Sequence, residues 1–524
     1  MSKTIGQAGA PTTVLDLIER FHRNADAYRS GSYNETELRR EFLDPFFKAL
    51  GWDIDNEQGH AEAYKDVIHE DSIRIDDAVK TPDYSFRIGG TRKFFLEAKK
   101  PSISIKDDTA AAYQLRRYAW SAKLSLSILS NFGEFAVYDC RIKPHKDDPA
   151  SRARLLYLAY QDYSTQWDTI AAIFSPAAVL KGSFDKYAET TKGKKGTATV
   201  DDAFLTEIES WRDELAHNLA LRNAALTKRE LNFAVQCIID RLIFLRICED
   251  RGIEEYGHLL SLTNDEGIYP RLFQFFQRAD DRYNSGLFHF KREKNRHEAP
   301  DELTPTLDID DKLLRKMVRS VYYPDSPYEF SVLSADILGQ VYEQFLGKVI
   351  SLTHGHRAVV EDKPEVKKAG GIYYTPTYIV EYIVNNTVGK LLEGKTLKQV
   401  AQLRILDPAC GSGSFLLRAY QYLLDWHRDR YVEMLAAPDA PSRTITKRAA
   451  SKPPVFRSVG GAWWLTTAER KRILLNNIYG VDIDAQAVET TKLSLLLKVL
   501  EGESQQTLEK QFKMFHERAL PDRN

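Results

Sequence analysis

The sequence predicts a multidomain α/β protein, and three observations carry that reading. At 524 residues the chain exceeds what one hydrophobic core organises, so three domains of roughly 150 residues are expected. Residues 81–100, TPDYSFRIGGTRKFFLEAKK, read as two β-strands around Gly89-Gly90-Thr91. Residues 403–426 read as a short strand ending at Asp407, a tight turn at Gly411 and Gly413, and a helix.

Composition narrows the function classes. Lys and Arg total 73 against 74 Asp and Glu, so net charge does not advertise a nucleic-acid partner and any such claim must rest on local chemistry. No apolar run is long enough to span a bilayer, and MSKTIGQAGAPTT lacks an apolar signal core; no membrane partner and a cytoplasmic location are expected. Cys140, Cys237, Cys248 and Cys410 are scattered without metal-type pairing, which suits reduced thiols.

Val14 to Arg29 reads as one amphipathic helix. In SYNETELRREFLDPFFKALGWD, Asn34 can cap a second helix with Glu35 and Glu37 in its first turn, where the macrodipole favours negative charge. Leu38, Phe42, Leu43, Phe46 and Phe47 form its buried stripe, and Pro45 predicts a kink or break.

With the hairpin loop taken as residues 89–91 and residue 88 paired with 92, Asp83 falls opposite Glu97, and strand alternation puts Lys99 on the same face. A solvated ion-pair cluster is one reading of that face. Against it, Phe94, Phe95 and Leu96 argue for a central, buried strand, where two carboxylates need a cation. Pro82-Asp83 with Glu97-Ala98-Lys99 resembles the PD-(D/E)xK nucleases. The residues suit the chemistry that the resemblance implies, hard oxygen ligands beside a lysine for Mg²⁺-assisted attack on a phosphodiester. Gln114 to Tyr118 is similar to the Gln-x-x-x-Tyr element of a nuclease subgroup, and Glu35, ten residues before Pro45, to the helix glutamate of many members. The resemblance implies an α/β nuclease domain over residues 1–175 acting on double-stranded DNA. It implies Mg²⁺ held by Asp83, Glu97, Ala98 and Glu35, and a catalytic set of Asp83, Glu97, Lys99, Glu35 and Gln114. The run 124–139 is expected to close the small sheet.

Residues 176–202 include a Gly/Lys/Thr-rich stretch that reads as a linker or exposed loop. Phe204, Ile208, Trp211, Leu215 and Leu219, then Leu231, Val235, Ile238, Leu242 and Leu245, predict paired helices in a connector domain over 203–365. Arg246, Glu249, Asp250 and Arg251 read as helix-end ion pairs.

The remainder, 366–524, begins near Thr375, a good N-cap with Pro376 at the first helical position. Ile478 to Asp482 supplies a second strand ending in an acid, and such an acid at the carboxyl end of a parallel strand takes ribose hydroxyls. Thr375-Pro376, Asp407 to Phe415 and Gly480 to Asp484 together resemble the S-adenosyl-L-methionine-dependent amino-DNA methyltransferases of the N6-adenine group. That likeness implies a partial Rossmann-like domain binding the cofactor through Thr375, Asp407, Ala409, Gly411, Gly413, Phe415, Asp482 and Ile483. A polar, Pro-rich insertion occupies 436–464.

Nuclease, helical connector and methyltransferase in that order resemble the fused type IIG restriction-modification enzymes, including the helices at 244–252 and 338–348. One departure stands out: no Asn/Asp-Pro-Pro-Tyr/Phe run follows Asp482 to hold a flipped adenine. A C-terminally truncated or split enzyme is therefore expected, with methylation absent in this chain alone and the nuclease residues intact. The alternatives are a methyltransferase subunit completed by a second chain carrying the missing half and target-recognition domain, or an inactive remnant that binds cofactor or DNA.

Overall fold

The computed structural model describes residues 9–59, 65–69, 82–88, 91–184, 187, 200–283, 287–292, 299–330, 339, 348–362, 375–436, 454–457, 463–483 and 485–501. The chain divides into two compact units, residues 1–202 with 323–333, and residues 203–322 with 334–524.

In the first unit, helix α1 (Thr12–Arg23) buries Val14, Leu17 and Phe21. The single helix expected over Val14 to Arg29 is interrupted at Asn24, whose φ of −119° and ψ of 20° leave helical space before a short helix resumes at Ala25. The Asn34 cap forms with its reciprocal partner: Glu37 N–H donates to Asn34 Oδ1 at 2.9 Å, and Asn34 N–H to Glu37 Oε2 at 3.4 Å. This starts α2 (Glu35–Leu38), which runs through a π-helical turn, Arg39–Leu43, into α3 (Asp44–Ala49). The break expected at Pro45 is taken up by that widened turn, after which the proline sits harmlessly in the first turn of α3.

Six strands build one sheet in sequential order: β1 (Val67–His69), β2 (Tyr84–Ile88), β3 (Thr91–Ala98), β4 (Leu126–Ser130), β5 (Glu134–Asp139) and β6 (Arg154–Ala159). All neighbours are antiparallel except β3 and β4. The run 124–139 therefore does not close the sheet; β6 forms that edge, half-buried and without the apolar alternation that would have marked it in the sequence.

The hairpin register also differs from expectation. Ile88 pairs with Thr91 rather than with residue 92, while residues 89 and 90 lie outside the described residues. A shift between Phe86 and Arg87 then inserts one extra residue on β3, so that Phe86 meets Phe94 and Tyr84 meets Leu96. The bulge cancels the shorter turn, and at the acidic end the register is the one that sets residue 83 against residue 97. β3 is central, and its last five residues are buried. Phe94, Leu96 and Ala98 join the core formed with Phe42, Phe46, Phe47 and Trp52. Phe95 points the other way, into a second cluster beneath α4 (Thr109–Ser121).

A distant segment completes this unit. Tyr113 Oη donates to the carbonyls of Pro324 (3.0 Å) and Ser326 (2.9 Å), Glu329 N–H to Ser121 Oγ (2.9 Å), and Arg117 ion-pairs with Glu329. Nothing local in the sequence announces this strap, because its partners lie some two hundred positions earlier.

The second unit contains α5 (Val200–Arg222) and α6 (Lys228–Asp250), the latter opened by a Thr227–Glu230 capping box. The charges at the end of α6 are buried: Arg246 pairs with Asp250 at 2.5 Å, and Glu249 accepts the N–H groups of Gly257 and Leu259. Burial pushes the Glu249 carboxyl up to about 7, against the pull of Arg246. Later in this unit, β7 (Ile405–Asp407) and β8 (Ile478–Gly480) pair in parallel, beside α8 (Ser414–Ala436) and α7 (Thr377–Val384). α9 (Thr467–Asn477) leads into β8, and α10 (Ala485–Val499) follows it. Within the insertion at 436–464, Val455–Arg457 and Trp463–Leu465 form an antiparallel pair; most of the remaining residues lie outside the described ones. So does most of the segment 338–348, whose last residue opens a strand, Lys348–Leu352. Among the described residues no helix is long and apolar enough to cross a membrane.

Candidate functional site

The Asp83, Glu97 and Lys99 side chains meet at the carboxyl end of β3. Glu97 is only 3% exposed, and its Oε1 accepts from Lys99 Nζ at 2.7 Å and from Gln114 Nε2 at 3.1 Å. The cause is local geometry: residues 97 and 99 share a strand face, and α4 lies over that face with Gln114 directed down. Asp83 immediately precedes β2; its Oδ2 accepts Ala98 N–H at 2.7 Å and its Oδ1 accepts Arg39 Nη1 at 3.2 Å. Tyr118, one turn beyond Gln114, is buried in the apolar cluster beneath α4. Glu35 lies one turn before Arg39 on the N-terminal helix, and its negative charge is felt by Asp83, Glu97 and Lys99 alike.

Electrostatics here are unbalanced. Glu97 Oε2 is buried with no hydrogen-bond partner among the described residues. Burial, and then the Asp83 charge, push the Glu97 carboxyl up to about 7 in spite of Lys99. Asp83 is also raised by burial, against Arg39 and the Ala98 N–H. Burial alone would lower Lys99, but Glu97, Glu35 and Asp83 together hold it above its ordinary value, so it stays protonated. Among the described residues, the Asp83, Glu97 and Glu35 carboxylates thus face the cations Lys99 and Arg39. Among the described residues no group of three or more His, Cys, Asp or Glu side chains is gathered closely enough to cage a metal. Mg²⁺, however, is commonly held through one or two carboxylates with water completing its shell, and the orphaned Glu97 oxygen beside Asp83 fits that chemistry. Arg39 is the neighbour that sequence reading missed, although its i+4 spacing from Glu35 was a usable signal.

The Gly-rich turn after β7 is strapped to the end of β8. Val481 N–H donates to Asp407 O (2.9 Å), Cys410 N–H to Val481 O (2.9 Å), and Gly411 N–H to Asp482 Oδ2 (2.8 Å). Ala409 N–H reaches Asp407 Oδ1 at 3.2 Å, and Thr491 Oγ1 donates to Gly411 O at 2.9 Å. Gly411 and Gly413 have φ of 52° and 82°, and a Cβ on Gly413 would stand 2.6 Å from Thr491 Cγ2. Because a threonine is stiff at χ1, it cannot swing aside cheaply. Gly413→Ala should therefore cost about 1–3 kcal/mol and lower the thermal midpoint of this unit, read by circular dichroism; an unchanged midpoint would show that the turn relaxes freely.

The other expected residues are placed unevenly. Thr375 is not the N-cap: Pro376 occupies that position with φ −55° and ψ 140°, α7 begins at Thr377, and no side chain caps it. The proline ring suits the extended cap as well as the first helical residue, so the start slips by one position. Phe415, in the first turn of α8, packs half-buried on the apolar core, whereas Ala409 is exposed and Ile483 fully so. Asp407 and Asp482 stand at the carboxyl ends of adjacent parallel strands, beside the Gly-rich turn. Two acceptor carboxylates there suit a ligand bearing an ammonium group and a ribose diol, which is the donor set of S-adenosyl-L-methionine.

Two family models match separate stretches of the chain. Residues 32–146 match the family model of the type I restriction enzyme R protein N terminus, and residues 385–523 that of the MmeI DNA-methyltransferase domain. Both halves of the chain are thus similar to restriction-modification polypeptides. It is 35% identical over 496 residues to the type II restriction enzyme and methyltransferase RM.Eco57I of Escherichia coli, covering 94% of this chain and 47% of that one. It is 26% identical to the putative type II restriction enzyme and methyltransferase RM.MjaORFECS2P of Methanocaldococcus jannaschii, covering 52% of this chain and 25% of that one. The chain thus spans less than half the length of these relatives. Among solved structures, the type IIG restriction endonuclease BpuSI is 13% identical with a TM-score of 0.25, covering 89% of this chain and 41% of that one.

Proposed function

We propose that this chain supplies two parts of a type IIG restriction-modification activity: Mg²⁺-dependent cleavage of double-stranded DNA and binding of S-adenosyl-L-methionine. In this reading residues 1–175 are a PD-(D/E)xK nuclease domain, 176–202 a linker, 203–365 a helical connector, and 366–524 a Rossmann-like S-adenosyl-L-methionine-binding domain. The observation that carries the nuclease assignment is the buried Glu97 carboxylate, with one oxygen held by Lys99 and Gln114 and the other without a partner among the described residues.

Asp83, Glu97, Ala98 and Glu35 are the residues that would hold Mg²⁺. The chemistry it supplies when bound is a positive field that polarises the phosphodiester and eases loss of a proton from water. Lys99, fixed 2.7 Å from Glu97 Oε1, orients the attacking water and offsets charge developing on the phosphate. Gln114 keeps Glu97 Oε1 engaged, so that Oε2 would be the oxygen left for a cation. At the other site, Asp482 would accept the ribose hydroxyls and Asp407 the ammonium group, the Gly411–Gly413 turn would give the main chain close approach, and Thr375, Ala409, Phe415 and Ile483 would complete the surroundings.

Incubation of the purified full chain with supercoiled plasmid tests the first activity. Nicking with Mg²⁺ and none in EDTA is expected; a chain that leaves the plasmid intact in both overturns the assignment. A second reading, a methyltransferase portion completed by another chain, is favoured by one observation: Leu406, Val481 and Ile483, on or just beyond the strand pair, are 59%, 55% and 105% exposed. Co-purification with a chain bearing an Asn-Pro-Pro-Tyr run would support it, and a lone chain that methylates adenine would exclude it.

A further inference from the structure

Arg39 holds a position that the nuclease chemistry leaves unexplained. It opens the π-helical turn, one helical turn beyond Glu35, and its guanidinium lies over the Tyr84 ring, 5.1 Å from the centroid. From there Nη1 reaches Asp83 Oδ1 at 3.2 Å, with the two side chains only 14% and 17% exposed. Tyr84 is itself pinned, its hydroxyl donating to Asp44 Oδ1 at 2.8 Å. The second Asp83 oxygen is tied to the main chain by the Ala98 N–H, whereas Oδ1 is held only by a side chain that can move, which makes it the oxygen a cation would take over.

We propose that Arg39 is a displaceable counter-ion for Asp83, which competes with the divalent cation and must leave Oδ1 when that cation binds. The inference rests on the nuclease reading above and deepens it. Two positive groups on one buried carboxylate oxygen repel strongly, because charges a few ångströms apart in a protein interior interact far more strongly than in water. Without a cation, Arg39 compensates a carboxylate that burial would otherwise leave costly. Once displaced, the guanidinium stays on the same helix face as Glu35, beside the space in which a phosphodiester would lie, and its planar fork suits phosphate oxygens. Arg39 is thus a positioning residue: it keeps Asp83 oriented in the metal-free chain and sets the threshold for cation entry.

The test is Ca²⁺ binding by titration calorimetry at pH 8, with the full chain and its Arg39→Gln and Arg39→Lys variants, so that affinity is read without turnover. Arg39→Gln should bind Ca²⁺ at least about tenfold more tightly, since a competing unit charge is gone, and Arg39→Lys should stay within about twofold of the parent. An Arg39→Gln chain that folds only when Ca²⁺ is present supports the same conclusion. Equal or weaker binding by Arg39→Gln overturns the competition while leaving the metal site standing; no Ca²⁺ binding by any of the three overturns the metal site and the competition with it. A Mn²⁺-soaked crystal of the unmodified chain gives an independent reading. A cation on Asp83 with the Arg39 pair opened beyond about 4 Å agrees with displacement, and a cation there with the pair closed contradicts it.

Discussion

Lys99→Ala should abolish Mg²⁺-dependent plasmid nicking, with a fall of at least about a hundredfold, the usual scale for removing one preorganised group that stabilises transition-state charge. Lys99 Nζ is tied at 2.7 Å to Glu97 Oε1, and the surrounding carboxylates keep it protonated even though it is largely buried. Alanine removes that charge without touching the sheet, because the side chain lies beyond the end of β3 and contributes nothing to the apolar core. The variant should therefore keep the parent's far-ultraviolet circular dichroism and melting cooperativity while losing nicking. Undiminished nicking by the purified variant would remove Lys99 from the chemistry.

Asp482→Ala should weaken S-adenosyl-L-methionine binding by at least about tenfold in titration calorimetry, on the scale of losing a charge-assisted hydrogen bond. Two effects are combined in that loss. The carboxylate is the proposed acceptor for the ribose hydroxyls, and its Oδ2 already takes the Gly411 N–H at 2.8 Å, which ties the Gly-rich turn to the end of β8. Asp482→Asn separates them, since an amide oxygen still accepts from Gly411 while the charge is lost. If Asp482→Asn binds as well as the parent and Asp482→Ala does not, the residue acts through the turn alone. Absence of binding heat in the parent would contradict the cofactor assignment itself.

Features written in local sequence were readable in advance. The Asn34 cap, the interrupted helix around Pro45, the buried stripe through Phe42 and Phe46, and the sharing of one face by residues 97 and 99 all depend on short-range spacing. Even the hairpin, whose turn is one residue shorter than expected, keeps the expected register near the acidic residues because a bulge on β3 makes up the difference. What escaped is tertiary. Strand β6 is an edge strand without alternation, the strap at residues 323–330 crosses two hundred positions to reach α4, and the Arg39–Asp83 and Gly411–Asp482 bonds join elements 44 and 71 residues apart. The one-residue slip at Thr375 has a different origin: proline fits the cap and the first helical position equally well, so composition does not choose between them.

The central claim is that Asp83 and Glu97 form a divalent-cation site, and Ca²⁺ titration of the full chain against Asp83→Asn and Glu97→Gln tests it most directly. Both substitutions keep side-chain volume and at least one hydrogen-bonding oxygen, so the fold should persist while a negative charge is removed from a pair of buried carboxylates. The account predicts a single Ca²⁺ site in the parent, weakened at least about tenfold in each variant, as expected when a hard cation loses one of two carboxylate ligands. Parent and variants binding Ca²⁺ alike would contradict it.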